Sequence, residues 1–415
     1  MPFRWLCKCL FTVPLFLACV SVRAGAPPSE SVLTLQAALD QAAAVNPGVA
    51  RFRMEAAARA AIPSQAGTLP DPWLSAEPGR GANSQLRLGI TQALPAPGKL
   101  HLQRLVAEHE AEAAQLEVGE ATLQLSAEVK QGWWRLFFLD RAVEVVRRNQ
   151  DVLRQTAAVA QTRYRVGEGL QQDVLLAQME FSKLLEMEIE WTGERRTAEA
   201  RLNTLLYRPP ATPIVLPASV EEALPASPDE DMLIQQAQAA RPALTAQRRQ
   251  VDVANSQQDL ARLDYRPDFS VGANHEWREG EKDFTSVMFA MSVPLHTGSR
   301  QDRAVDERGA ELLARRYALQ DAEARVAAEV AVAFSDYQRA RHHAELYKTS
   351  LLPQAAQTVS AMLAGYQVGK VDFLNLAQAQ MTLNDYETRY WQSLSEAREA
   401  LARLSAAVGK EITHE

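Results

Sequence analysis

Cysteine is nearly absent from this chain of 415 residues: there are 3, Cys7, Cys9 and Cys19, all near the start. Those first residues read as an export leader, with Arg4 and Lys8 as the charged start, an apolar core from Leu10 to Val20, and a small-residue cleavage pattern at Val22-Arg23-Ala24. Cleavage after Ala24 (residues 1–24 as signal peptide) predicts a mature chain with no thiol, which excludes disulfides, thiolate metal sites and cysteine nucleophiles together. Two alternatives stand beside it, an uncleaved membrane anchor, for which the apolar run is short, and attachment of a lipid at Cys19. Losing Arg4, Lys8 and Arg23 takes the 44 basic residues to 41 against 51 acidic ones, a net charge of −10. An exported acidic chain is a poor nucleic-acid binder, so no nucleic-acid partner is expected.

Other absences narrow the class further. Beyond the leader there is no window of about 20 apolar residues, so any membrane insertion must use strands. There is no Gly-x-Ser-x-Gly, phosphate loop or His-Glu-x-x-His, and the acidic residues are scattered along helical runs; neither an enzyme nor a cofactor is expected. His101 and His109 stand eight apart, His342 and His343 diverge on a helix, and His275, His296 and His414 stand alone. None has the three- or four-residue spacing of a two-point metal site, and no metal is expected. Proline is missing from 98 to 208 and from 354 to 415. A helix from Gly98 to Arg163 would reach roughly 100 Å at 1.5 Å per residue, so the architecture must be elongated.

What is present is a duplication. Tyr164-Arg-Val-Gly-Glu-Gly-Leu-Gln-Gln-Asp173 continues to Ala177-Gln178-Met179, and Tyr366-Gln-Val-Gly-Lys-Val-Asp-Phe-Leu-Asn375 continues to Ala379-Gln380-Met381, without a gap. Each copy is a glycine break, at Gly167 or Gly369, between two long helical runs. Upstream the order also repeats. A helix from Thr34 to about Gly67, broken at Asn46-Pro47, answers one from Met232 to Leu263, broken at Arg241-Pro242. Leu69-Pro-Asp71 answers Tyr265-Arg-Pro-Asp268. Strands are predicted at Trp73–Glu77, Gln85–Leu94, Phe269–Trp277 and Phe284–Leu295 from their period-two alternation. Leu86, Leu88 and Ile90 share one face of the second, and Val287, Phe289, Met291 and Val293 one face of the fourth. Trp73 and Trp277 fall at strand ends, where an aromatic girdle would sit.

Pro95-Ala-Pro97-Gly98 launches the first long helix, in which apolar doublets recur every seven residues at Val145-Val146, Val152-Leu153 and Val159-Ala160, as in a coiled coil. Trp133 and Trp134 sit mid-helix as packing or interface aromatics. The return helix runs from Val174 to Leu206. In the second half the long helix starts at Gly298, is interrupted by Pro353, and returns to about Val408. The chain therefore divides into repeats at 25–208 and 231–411, joined by a proline-rich extended linker at 209–230. Four strands cannot close a barrel, and open edges are not tolerated in lipid, so membrane strands here demand an oligomer.

The duplicated order, the leader and the two Tyr-x-x-Gly tips resemble the TolC-like outer-membrane efflux protein family over roughly Leu33 to Glu411. The resemblance implies a mainly α fold with a small β part. Three chains would form a twelve-stranded outer-membrane β-barrel continued by a periplasmic α-helical coiled-coil tunnel. It implies a homotrimer in outer-membrane lipid, serving as the passive exit duct of a tripartite pump with a periplasmic membrane-fusion adaptor and an inner-membrane transporter. Leu94-Pro-Ala-Pro-Gly-Lys99 is similar to the heavy-metal branch. The family's arginine and two acidic residues at the second tip are replaced here by Val371, Asn375 and Gln378, so the usual ionic lock of the aperture is missing. Tyr164, Gly167, Asp173, Gln178, Tyr366, Gly369, Lys370, Asp372, Asn375 and Gln380 are the tip candidates. Plainer roles stand beside these: helix caps for the glycines, an N-cap for Asp173, packing for the tyrosines. The competing architecture is a periplasmic coiled-coil adaptor or scaffold outside the membrane, which should contain one hairpin rather than two.

Overall fold

The computed structural model describes residues 32–79, 85–226, 229–278 and 282–412. The leader, with its three cysteines, lies outside these residues.

The first repeat opens with α1 (Leu35–Val45), α2 (Pro47–Ala60) and α3 (Ile62–Ala66), followed by β1 (Trp73–Gly79), β2 (Gln85–Leu94), α4 (Lys99–Arg165) and α5 (Gln171–Leu205). The second has α6 (Glu230–Ala240), α7 (Pro242–Leu263), β3 (Phe269–Arg278), β4 (Phe284–Met291), α8 (Gln301–Leu346), α9 (Leu352–Gln367) and α10 (Phe373–Val408). At 67 residues α4 is roughly 100 Å long at 1.5 Å per residue. No helix among the described residues is long and apolar enough to cross a membrane.

The breaks at Asn46 and Arg241 occupy the same place in the two repeats but are held differently. The Asn46 carboxamide oxygen accepts from Gly48 N and Val49 N, capping α2, while Arg241 pairs with Glu120 at 3.1 Å and with Glu329. The core of the long bundle is aromatic where the helices are thickest. Trp133 stacks on Phe137 with centroids 5.7 Å apart, and its indole N–H donates to Leu33 O. Both Trp133 and Trp134 are buried within the chain.

Two boundaries differ from the sequence reading for identifiable reasons. Pro353 does not interrupt the second long helix: a π turn at Tyr347–Leu351 widens the ladder just ahead of it and joins α8 to α9. The helix itself starts at Gln301, not Gly298. The proline-rich stretch from Tyr207 to Asp229 has no helix or strand among the described residues, yet it is strapped to the bundle. Arg195 donates to Ile214 O, Tyr337 to Pro225 O, and Arg398 to Glu221 O and Ala223 O.

The four strands form one antiparallel sheet in the order β1-β2-β3-β4. Register places Trp73 opposite Thr91, Leu86 opposite Trp277, and Phe269 opposite Met291. Because opposed residues share a face, Leu74, Ala76, Leu86, Leu88, Ile90, Val271, Trp277, Val287, Phe289 and Met291 lie together. The other face has Ser75, Glu77, Arg87, Asn274, Glu276 and Arg278. On it Arg87 reaches Glu276 at 3.0 Å and Glu77 at 3.3 Å. Trp73, although at a strand end, shares this polar face, whereas Trp277 lies on the apolar one. Val293 lies beyond the end of β4: the last bond of the pair runs from Ser292 N to Asp268 O, and Pro267, next in register, has no N–H to give.

Candidate functional site at the paired helical tips

At the end of the helices far from the sheet, each hairpin turns over five residues, Val166–Leu170 and Val368–Asp372. Gly167 and Gly369 have φ of +79° and +70°, the left-handed region in which a Cβ would be strained. The capping bonds repeat as well. Glu168 N donates to Arg163 O and Gly167 N to Tyr164 O; Lys370 N donates to Gly365 O and Gly369 N to Tyr366 O. Each pair is the 6→1 and 5→2 pattern that closes a helix C-terminus on a glycine.

The side chains do not repeat. Tyr366 is 3% exposed and packs edge-on against Phe373, whereas Tyr164 is 45% exposed. Tyr366 belongs to the apolar cluster of Val146, Leu153, Phe373 and Leu376, and Arg163 covers it: its guanidinium lies 5.1 Å over the Tyr366 ring while its Nη1 donates to Tyr366 O at 2.8 Å. Arg163 thus ties the first hairpin to the second by a charge-assisted hydrogen bond and a cation–π contact. Burial pushes the Tyr366 hydroxyl above its ordinary pKa, and the nearby Asp173 carboxylate pushes the same way.

Asp173 does not cap α5. The N-cap is Leu170, and Asp173 sits in the first turn, its own N–H donating to Leu170 O. A carboxylate there favours the positive helix end. Partial burial nevertheless holds it above the usual carboxylate range, with Asp372 adding to the rise and Arg163 opposing it. Asp372 is the N-cap of α10 without a side-chain hydrogen bond. Lys370, Asp372, Asn375 and Gln178 are exposed.

Gln380 belongs elsewhere. It lies seven residues up α10, donating to Asn149 Oδ1 at 2.7 Å, while Asn149 Nδ2 donates to Asn384 Oδ1 at 2.8 Å. This is a polar layer inside the bundle, and Gln380 is corrected from the aperture to that layer. The heptad doublets part company in the same region: Val145 and Val146 are both buried, whereas in the next two Leu153 and Ala160 are buried and Val152 and Val159 remain exposed. They line a cavity of about 220 Å³ together with Leu363, Tyr366 and Leu376.

Residues 233–410 match the family described as outer membrane efflux protein. The chain is 24% identical over 398 residues to the cobalt-zinc-cadmium resistance protein CzcC of Cupriavidus metallidurans, covering 91% of this chain and 90% of the relative. The second half of the chain therefore carries an outer membrane efflux protein domain. The fold of the chain is similar to that of the outer membrane protein VceC from Vibrio cholerae, with a TM-score of 0.76, 17% identity and coverage of 91% of this chain and 96% of that one. It is also similar to that of the open MtrE outer membrane channel of Neisseria gonorrhoeae, with a TM-score of 0.78, 17% identity and coverage of 91% and 89%.

The tips bring together Tyr366, Gly369, Asp173, Asp372 and Arg163, and leave Tyr164, Gln178, Lys370 and Asn375 facing outward. Arg163 escapes a reading by matched positions because it stands where the second copy has Gly365. The mismatch was itself the available signal: a long cation in one copy aligned with no side chain in the other. Among the described residues no group of His, Asp and Glu is placed to hold a metal ion.

Proposed function

We propose that this protein is the passive outer-membrane exit duct of a tripartite efflux system, acting as a homotrimer with a periplasmic adaptor and an inner-membrane transporter. The observation that carries the reading is the sheet. Leu74 is 80% exposed and Phe289 77% exposed on a mainly apolar face, interrupted by Gln92, His275 and Thr285, while the opposite face has Arg87, Glu276 and Arg278 in ion pairs. Such a sheet suits lipid on one side and water on the other. Three copies supply twelve strands, enough to close a barrel and remove the edges of β1 and β4. The helices continue that barrel as a tunnel, and the tips form its periplasmic aperture.

In the absence of the family's ionic lock, closure of the aperture rests on Arg163 against Tyr366 within each copy and on Asp173, Asp372, Asn375 and Lys370 between copies. The inner-membrane partner supplies the energy, and the duct performs no chemistry. Divalent metal cations are the cargo class favoured by the likeness to a cobalt-zinc-cadmium resistance protein, and a mature charge of −10 tolerates cations. Fractionation tests the placement: a heat-modifiable trimer in the outer membrane supports the duct, and a water-soluble monomer, as expected of an adaptor, contradicts it. A deletion strain that retains cobalt, zinc or cadmium supports the cargo, and unchanged metal efflux contradicts it.

A further inference from the structure

The polar layer above the tips takes a side chain from each of three helices. Asn149 of α4, Glu180 of α5 and Asn384 of α10 are 4%, 8% and 6% exposed. With Gln380 they line a hole of about 20 Å³ whose other walls are Leu153, Leu184, Ala377 and Met381. The orientation of every amide in the layer follows from one end. Val145 O can only accept, so the Asn149 atom beside it at 2.9 Å is the Nδ2 donor. Asn149 Oδ1 then accepts from Gln380 Nε2, and Asn149 Nδ2 gives its second hydrogen to Asn384 Oδ1. This leaves Asn384 Nδ2 without an acceptor and Gln380 Oε1 without a donor among the described residues. Glu180 Oε1 accepts from Lys183 at 2.7 Å, while Glu180 Oε2 is buried with no protein partner.

We propose that this hole binds one internal water molecule, which accepts from Asn384 Nδ2 and donates to Gln380 Oε1 and Glu180 Oε2. The volume suits a single water, and three hydrogen bonds are the usual number for a buried one. A metal cation does not suit the same walls, because Asn384 presents N–H to the hole and not oxygen. The water ties α5 to α10, two helices that no side-chain hydrogen bond or ion pair joins directly among the described residues. Each hairpin is thereby held to the other one layer above the Arg163 contact. The duplication does not build this site twice. Continuing the gap-free match past Met179 and Met381 sets Thr382 against Glu180 and Ser182 against Asn384. Those two hydroxyls close on their own helices, Thr382 on Gln378 O and Ser182 on Gln178 O, as short hydroxyls in helices do.

The site lies within one chain, so an outcome against it leaves the exit-duct reading standing. In crystals of the full chain diffracting to about 2 Å or better, one density peak lies within about 3.2 Å of Glu180 Oε2, Gln380 Oε1 and Asn384 Nδ2. A direct bond from Asn384 to Glu180 with no peak beside them overturns the site. So does a peak that scatters anomalously after exchange into rubidium, which would make the guest a cation. Brief radiolysis of the purified protein in detergent gives a second answer in solution, because hydroxyl radicals formed from an internal water oxidise the side chains next to it. Leu184 is buried beside the hole, and it is oxidised in the unsubstituted protein. In Glu180→Met, which removes one acceptor and sets an apolar chain against the hole, that oxidation falls several-fold. Equal oxidation of Leu184 in the two proteins, or none in the unsubstituted one, overturns the proposal.

Discussion

The two tips share a backbone to the level of single hydrogen bonds, yet one tyrosine is buried and its counterpart is exposed. The same glycine cap therefore does not produce the same surface. Tyr366 sits in an apolar cluster with Phe373 and Leu376, and the residue one position before each tyrosine differs too: Arg163 in the first hairpin reaches across to Tyr366, while the matching Gly365 has no side chain to reach back. A duplicated motif has thus diverged into a donor tip and an acceptor tip, and the contact between them runs one way.

Substitution at the tyrosines breaks this comparison most strongly. Tyr366→Ala empties a site packed against Phe373 and is expected to cost about 3 kcal/mol or more, whereas Tyr164→Ala should stay within about 0.5 kcal/mol. Amide hydrogen exchange at Lys370 and Glu168 reads the two tips separately. Equal losses would mean the tips are not distinct. Next, Arg163→Ala should cost about 1.5–3 kcal/mol as a charge-assisted bond is lost, with faster exchange at the second tip even though the change is in the first. An effect confined to the first tip would remove the proposed cross-tie.

The glycines should behave alike where the tyrosines do not. Gly167→Ala and Gly369→Ala each force a Cβ into the left-handed region, at about 1 kcal/mol or slightly more. The added Cβ meets nothing at Gly167 and only an ordinary contact with Arg163 at Gly369. A large difference between them would show that sterics, not φ, sets the cost. The smallest effect is that of pH. The Asp173 carboxyl is raised in the folded protein, so the protonated form is favoured there: its contribution is fully present below the unfolded value near 4 and is lost as pH rises through the raised one. Tip protection should therefore increase on acidification towards pH 4, and Asp173→Asn should flatten that dependence.

Much of this was legible from punctuation. Gly167 and Gly369 mark the tips, Pro95 and Pro97 end a strand, and the alternation of Leu86, Leu88 and Ile90 marks a face. Register, by contrast, is a tertiary property. Trp73 reads as a girdle residue until its pairing with Thr91 puts it on the polar face. Gln380 looks like a tip residue by its match to Gln178 until Asn149, distant in sequence, claims it. Pro353 reads as a helix breaker, because a π turn that absorbs a proline has no simple local signature.

The central claim, a passive duct gated at these tips, is tested most directly by conductance of the purified protein in a planar lipid bilayer with no energy source. The account predicts small ohmic currents from the unsubstituted trimer, and currents several-fold larger from Tyr366→Ala as the tip contact is lost. Trimers that incorporate into the bilayer but stay silent, with or without that substitution, would contradict it.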